Sequence, residues 1–379
     1  MNVSIKPRGV AWLFEATSPD AVFSPEKLTD EHRLIRRTAD EFVAHEVMPA
    51  VDRLESKDWD FVRGLVRKCG DLGLIGTDVP EQFDGLALDK VSSLIVSESV
   101  GRLPSWAVTF GGQTGLSITP VLCFGTPEQK QKYLPRLVSG EMIGAYALSE
   151  TGSGSDALGA RCRAVRQQDG SFILSGEKMW ITNGGFADVF TVFAKVHDDG
   201  PSAGGDPGGK FTAFLVERAF PGVSTGREEH KLGLHGSSTV PLNLQEVRLP
   251  ADAVLGKIGK GHKVAFNVLN YGRFKLAAMC SGGARFVIAE SAKYASERRQ
   301  FGRTLGEFGA IRYKLAEMTA REYAVESMLF RIAGLLDSAI AGRDDAAAAL
   351  SALEEFAVEA SIVKVAGSEM LDYVVDENV

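Results

Sequence analysis

Apolar residues recur through the first third of the chain at the spacing of one helix face, as in Leu34, Ile35, Ala39, Phe42, Val43 and Val47. A period of about 3.6 predicts helices from Ser24 to about Gly140. Thr126-Pro127-Glu128-Gln129 predicts a helix start: a hydroxyl cap, Pro at the first helical position, and Gln placed to bond back to the cap. At about Met142 the texture changes to short β-rich runs: Ile143 to Ser149, Ser171 to Ser175, Lys178 to Thr182, Val189 to Val196, Phe211 to Glu217 and Leu242 to Leu249. Asp169-Gly170 sits where a tight hairpin needs a positive φ, so the sheet is expected to be antiparallel. Helices return after Gly261. Ile311, Leu315, Met318, Glu322, Val325, Leu329, Ile332 and Leu336 alternate at spacings of four and three, a bundle seam with one charged interruption. An unpaired buried carboxylate is costly, so Glu322 is expected where the seam meets solvent or a basic partner. A second seam runs through Leu353, Phe356, Ala360, Val363, Gly367 and Met370.

This pattern predicts an α+β multidomain chain: an N-terminal all-α domain over 1–141, a middle antiparallel β domain over 142–252, and a C-terminal helical bundle over 253–379. Composition narrows the class. The 379 residues are 45% hydrophobic and carry a formal net charge of −7, which suits a globular protein and gives no basic face for nucleic acid. No run has the length and apolarity of a membrane span or a signal segment, and the cytoplasm is the expected location. Cys69, Cys123, Cys162 and Cys280 lie far apart, and the six histidines are scattered, so neither a disulfide framework nor a metal site is expected.

Candidate chemistry concentrates in two segments, Tyr146 to Asp156 (YALSETGSGSD) and Met179 to Gly185 (MWITNGG). Hydroxyls, glycines and a flat aromatic beside strand ends suit a large planar cofactor with phosphates, flavin first among them. Rings need stacking and edge hydrogen bonds, whereas a pyrophosphate needs bare backbone N–H groups. Three competing readings fall away. Gly152-Ser153-Gly154 with Gly159 has the look of a dinucleotide fingerprint, but that fingerprint opens a helix and strand-like sequence follows here. Gly204 to Lys210 has phosphate-loop spacing, but Phe211 replaces the hydroxyl residue. No Gly-x-Ser-x-Gly elbow frames Ser153 or Ser155.

Taken together, the two segments resemble the acyl-CoA dehydrogenase family. Further matches lie in Phe124 to Pro135, in Leu269 to Arg273 and in Glu297 to Gly302, so the resemblance covers essentially the whole chain. It implies FAD as cofactor. Tyr146, Leu148 and Ser149 would line the isoalloxazine, Ser149 on its pyrimidine side; Trp180, Ile181 and Thr182 would cover the other face; and Gly154 and Ser155 would approach the pyrophosphate. Arg298, Gln300, Phe301 and Phe308 resemble residues that reach FAD across a subunit interface, which implies a homodimer or homotetramer. Ser155, Asn270, Tyr271, Gly272 and Arg273 would meet the CoA moiety of an acyl-CoA substrate. The implied reaction is α,β-dehydrogenation of fatty acyl-CoA in β-oxidation, with electrons passed to an electron-transferring flavoprotein.

The family's usual base is a Glu in a Glu-Gly-Thr motif that this sequence lacks, and the alternative position, before Arg273, is Gly272. The catalytic base is therefore expected beyond Val379, in a longer protein of the very-long-chain type, of which these residues are a truncated form with an incomplete bundle. Such a form is expected to expose apolar helix faces and to be unstable alone. Two other readings stay open: a catalytically silent member with an assembly or binding role, and a flavin monooxygenase on the same fold.

Overall fold

A computed structural model describes residues 8–11, 14–197, 208–342 and 346–379. The stretch with phosphate-loop spacing falls mostly outside them. Seven α-helices come first: α1 (Asp30–Phe42), α2 (Val51–Glu55), α3 (Trp59–Asp71), α4 (Lys90–Val100), α5 (Pro104–Gly111), α6 (Thr119–Phe124) and α7 (Pro127–Val138). Eight strands follow: β1 (Gly144–Ala147), β2 (Arg163–Arg166), β3 (Phe172–Thr182), β4 (Val189–His197), β5 (Lys210–Glu217), β6 (Val223–Thr225), β7 (Thr239–Leu249) and β8 (Val254–Leu255). The chain continues through α8 (Gly261–Glu297), a small hairpin of β9 (Arg299–Gln300) and β10 (Arg303–Thr304), α9 (Gly309–Ile340), α10 (Ala346–Glu355) and α11 (Ala357–Asn378). It forms two compact units: Met1–Pro49, Leu88–Ala107 and Asn270–Val379 in one, Ala50–Ala87 and Val108–Leu269 in the other.

The first unit is helical and is organised around α4. Every residue from Val91 to Val100 is buried, so this helix is a core rod rather than an amphipathic surface helix. Helix α8 crosses it at very close range, because a Cβ on Gly282 would come within 1.7 Å of the Glu98 carbonyl oxygen. The seam of α9 is buried from Met318 to Leu336, while Ile311 and Leu315 are only half-buried. The second seam divides between α10 and α11, with the break at Phe356. On α1 the apolar face is slightly narrower than expected: Ile35, Ala39 and Phe42 are buried, but Leu34 is 57% exposed.

The expectation for Glu322 needs correction. It is buried rather than at solvent: its carboxylate accepts from Ser281 Oγ on α8 at 2.8 Å, and Arg285 acts on it as a nearby charge. The same hydroxyl lies 3.3 Å from Glu98 Oε1. Arg36 donates to the other oxygen of Glu98 at 2.9 Å, and Arg285 to Glu326 at 2.9 Å. Burial pushes Glu98 up from the ordinary glutamate range against the pull of Arg36 and Arg285, and pushes Glu322 up to about 7.

The second unit is built on an eight-stranded sheet in the order β6-β7-β3-β2-β4-β5-β8, with β1 also paired to β4. Most ladders are antiparallel, including the β2–β3 hairpin at Gly170, which has φ +83°. The sheet is nonetheless mixed, since β1 and β2 both run parallel to β4. The reason is connectivity: residues 148–188 separate β1 from β4, long enough for a crossover rather than a hairpin. The runs expected at Ser171 and Lys178 are one strand, β3, with register shifts between Leu174 and Gly176 and between Lys178 and Ile181. Phe172, Phe190, Phe193 and Phe214 fill the core. Helix α7 begins as its sequence dictates, with Thr126 and Gln129 forming a reciprocal capping box.

Candidate cofactor site

Strands β1 and β2 lie end to end along the same edge of β4. Ala147 is opposite Val192 and Arg163 opposite Lys195, so only Phe193 and Ala194 of β4 separate partners whose own chain carries residues 148–162 between them. That surplus chain has nowhere to go within the sheet and is extruded as a loop. It contains most of the first candidate segment. Thr151, Gly152, Gly154 and Ser155 are exposed, and a Cβ on Gly152 or Gly154 would meet nothing within 4 Å. A single 3-10 turn at Ala157–Gly159 follows instead of an α-helix, which disposes of the dinucleotide fingerprint.

The second segment ends β3. The shift between Lys178 and Ile181 accompanies φ +60° at Trp180, a conformation uncommon for any residue with a side chain, and leaves the residue 60% exposed. A bulge of this kind re-aims a side chain out of the pleat. Ile181, by contrast, is 1% exposed, so it can offer an occupant only its backbone, and Thr182 is half-buried. Leu148 and Ser149 are half-buried, and the Met179 N–H donates to the Ser149 carbonyl at 2.9 Å, which ties the two segments together. The Tyr146 hydroxyl donates to the Ala265 carbonyl at 3.2 Å and its ring meets Phe193 edge-on. Open glycine backbone, two half-buried hydroxyls and an outward-turned indole, brought together where β3 meets the loop that leaves β1, fit a planar cofactor with a phosphate tail.

The remaining predicted residues belong to the helical unit. Arg298, Gln300 and Phe301 are exposed around the β9–β10 hairpin, and Phe301 projects at its tip with φ +52° and 92% exposure. Phe308 packs edge-on to Phe301 and stacks beneath the Arg303 guanidinium at 3.9 Å. Asn270 and Tyr271 are buried. The Tyr271 hydroxyl lies 3.0 Å from Ser93 Oγ, and Arg273 donates to Asn270 Oδ1 at 2.6 Å. Tyr271 is thus a packing residue in this arrangement, while Gly272 and Arg273 are half-buried.

Residues 29–141, 145–247 and 259–379 match the N-terminal, middle and C-terminal domains described for acyl-CoA dehydrogenase. The chain belongs to the acyl-CoA dehydrogenase family. A probable acyl-CoA dehydrogenase of Bacillus subtilis is 45% identical over 98% of this chain, which spans 62% of that relative. The very long-chain specific acyl-CoA dehydrogenase of Rattus norvegicus mitochondria is 39% identical over 86% of the chain and 47% of the relative. Among solved structures, an acyl-CoA dehydrogenase of Bacillus anthracis complexed with FAD superposes with a TM-score of 0.94 at 43% identity, covering 98% of this chain and 63% of that one. The chain therefore spans about half to two thirds of these relatives' length.

Several residues that shape the site escaped the sequence reading. Gln113, in a π-helical segment Gly112–Ile118, donates to the carbonyls of Leu137 and Met142 and accepts from the Gly144 N–H, setting the entry to β1. The small residues there pack closely: a Cβ on Gly112 would come within 2.8 Å of Asn183 Nδ2, and one on Gly144 within 2.4 Å of Ser117 Cβ. Asn183 itself has φ +63° and donates to the Thr109 carbonyl at 3.1 Å. Lys178 and Glu150, a buried ion pair, were also missed. The signal was present for Lys178, since it falls in phase with the inward Phe172 and Leu174 on β3.

Proposed function

We propose that the chain holds FAD at residues 146–155 and 180–182 and serves α,β-dehydrogenation of fatty acyl-CoA, of long chain, in β-oxidation in the cytoplasm. The carrying observation is the bulge that turns Trp180 outward beside an extruded glycine-rich loop, in a chain of this family. Flavin supplies the hydride acceptor when bound. The chain supplies the seat: Ser149 and Thr182 offer hydroxyls to the ring system, the backbone of Gly154 with Ser155 receives the pyrophosphate, and the Trp180 indole shields one face. The exposed hairpin bearing Arg298, Gln300 and Phe301, with Phe308 behind it, serves a second copy of the chain in a homodimer or homotetramer, so the cofactor site is shared. Within the helical unit, Asn270, Gly272 and Arg273 serve the CoA moiety, with Tyr271 holding that segment in place through Ser93. Electrons leave to an electron-transferring flavoprotein. No residue of the chain is assigned as the base for the α proton.

The test is spectral. Purified full-length protein should carry a flavin absorbance that long-chain acyl-CoA bleaches anaerobically. Absence of flavin from protein refolded with FAD refutes the reading. Flavin without bleaching at any chain length supports an assembly or binding role instead, and product that requires oxygen supports a monooxygenase.

A further inference from the structure

The extruded loop poses a mechanical problem, because residues 148–162 leave and rejoin one side of the interior strand β4 across a gap of two β4 residues. A loop of that length, rich in Gly and Ser, has high conformational entropy unless its base is closed. The Glu150 carboxylate closes it. One oxygen accepts the Arg161 N–H at 2.6 Å; the other accepts the Cys162 N–H at 3.0 Å and the Lys178 ammonium at 2.7 Å. Lys178 also donates to the Leu148 carbonyl at 3.2 Å. The ammonium is wholly buried and Glu150 is 8% exposed.

Each contact joins different parts of the site. Glu150 links the start of the loop to its end, and Lys178 links that clasp to β3 two residues before Trp180. A buried ion pair is a poor source of stability, since desolvation offsets most of the attraction, but it does specify one arrangement of the groups around it. We propose that Glu150 and Lys178 are positioning residues for the flavin: their ion pair sets the loop that offers Ser149, Gly154 and Ser155 in register with the bulge that offers Trp180 and Thr182. This rests on the reading of those two segments as the flavin site. Neither side chain needs to touch the cofactor.

The experiment compares the wild-type protein with Lys178→Met and the isosteric Glu150→Gln, by FAD titration of the apoprotein and by amide hydrogen exchange without flavin. Expected are at least tenfold weaker FAD binding, an altered absorption band shape for the flavin that still binds, and at least tenfold faster exchange at Arg161 and Cys162, with β5 unchanged. Unchanged exchange at Arg161 and Cys162 in both variants overturns the proposal. So does faster exchange spread evenly over the sheet with FAD affinity per folded molecule unchanged, the signature of an ordinary core pair. If the wild type itself takes up no FAD, the functional reading fails, and the exchange arm still decides whether the pair sets the loop.

Discussion

Replacing Glu322 by Gln should remove a pH dependence from the stability of the helical unit. The Ser281 hydroxyl has one proton to donate and lies within hydrogen-bond distance of two carboxylates, Glu322 and Glu98. Both contacts are satisfied only when one carboxyl carries a proton, in agreement with the rise of Glu322 from an ordinary 4.5 to about 7. At about 1.4 kcal/mol per pH unit that rise corresponds to about 3 kcal/mol. A raised folded-state pKa in an acid means that the native form binds more protons than the unfolded chain between 4.5 and about 7, so stability falls as pH rises through that window. Glu322→Gln mimics the protonated form. Urea unfolding should find the variant and wild type similar near about pH 5, and the variant more stable by up to about 3 kcal/mol near about pH 8. Asp337, raised to about 6 by burial, titrates in both proteins and cancels in the difference. Ser281→Ala is the sharper control. It removes the hydrogen bond that holds Glu322 down, so the drop should move to higher pH. Parallel pH profiles for wild type and Glu322→Gln would refute the reasoning.

Gly282→Ala would put a Cβ within 1.7 Å of the Glu98 carbonyl oxygen, and since neither backbone can yield cheaply a loss of about 3 kcal/mol or more is expected in chemical denaturation. Thr126→Ala should cost about 1 kcal/mol by removing the hydroxyl that caps α7, with Thr126→Ser largely restoring it. Asp337→Ala leaves the Lys90 and Val91 N–H groups at the start of α4 without their acceptor, at about 1 to 3 kcal/mol, and exchange at those two amides should accelerate first.

The helix that begins at Thr126, the turn at Gly170 and the seam of α9 could all be read in advance, since each depends on residues three or four apart or on one backbone torsion. The two candidate segments could also be picked out, as a local mixture of hydroxyls, glycines and an aromatic. What went unseen was how each segment is held. Trp180 could be named, but its outward aim comes from a register shift against β7. Glu322 was recognised as an interruption, yet its neighbours Ser281 and Glu98 come from helices far away in the chain. Ile181 was expected against the ring, and the same register shift puts its side chain in the core.

Periodicity, caps and a compact motif were enough to establish a helical, β and helical order and a candidate flavin site, because local hydrogen bonds and the burial of one face act over a turn or two of chain. The mixed sheet, the extrusion of residues 148–162 and the Glu150–Lys178 clasp arise only when β1 and β2 take their places along β4. A buried charge can be tolerated only beside its partner, and that partner is a matter of distance in space rather than along the chain.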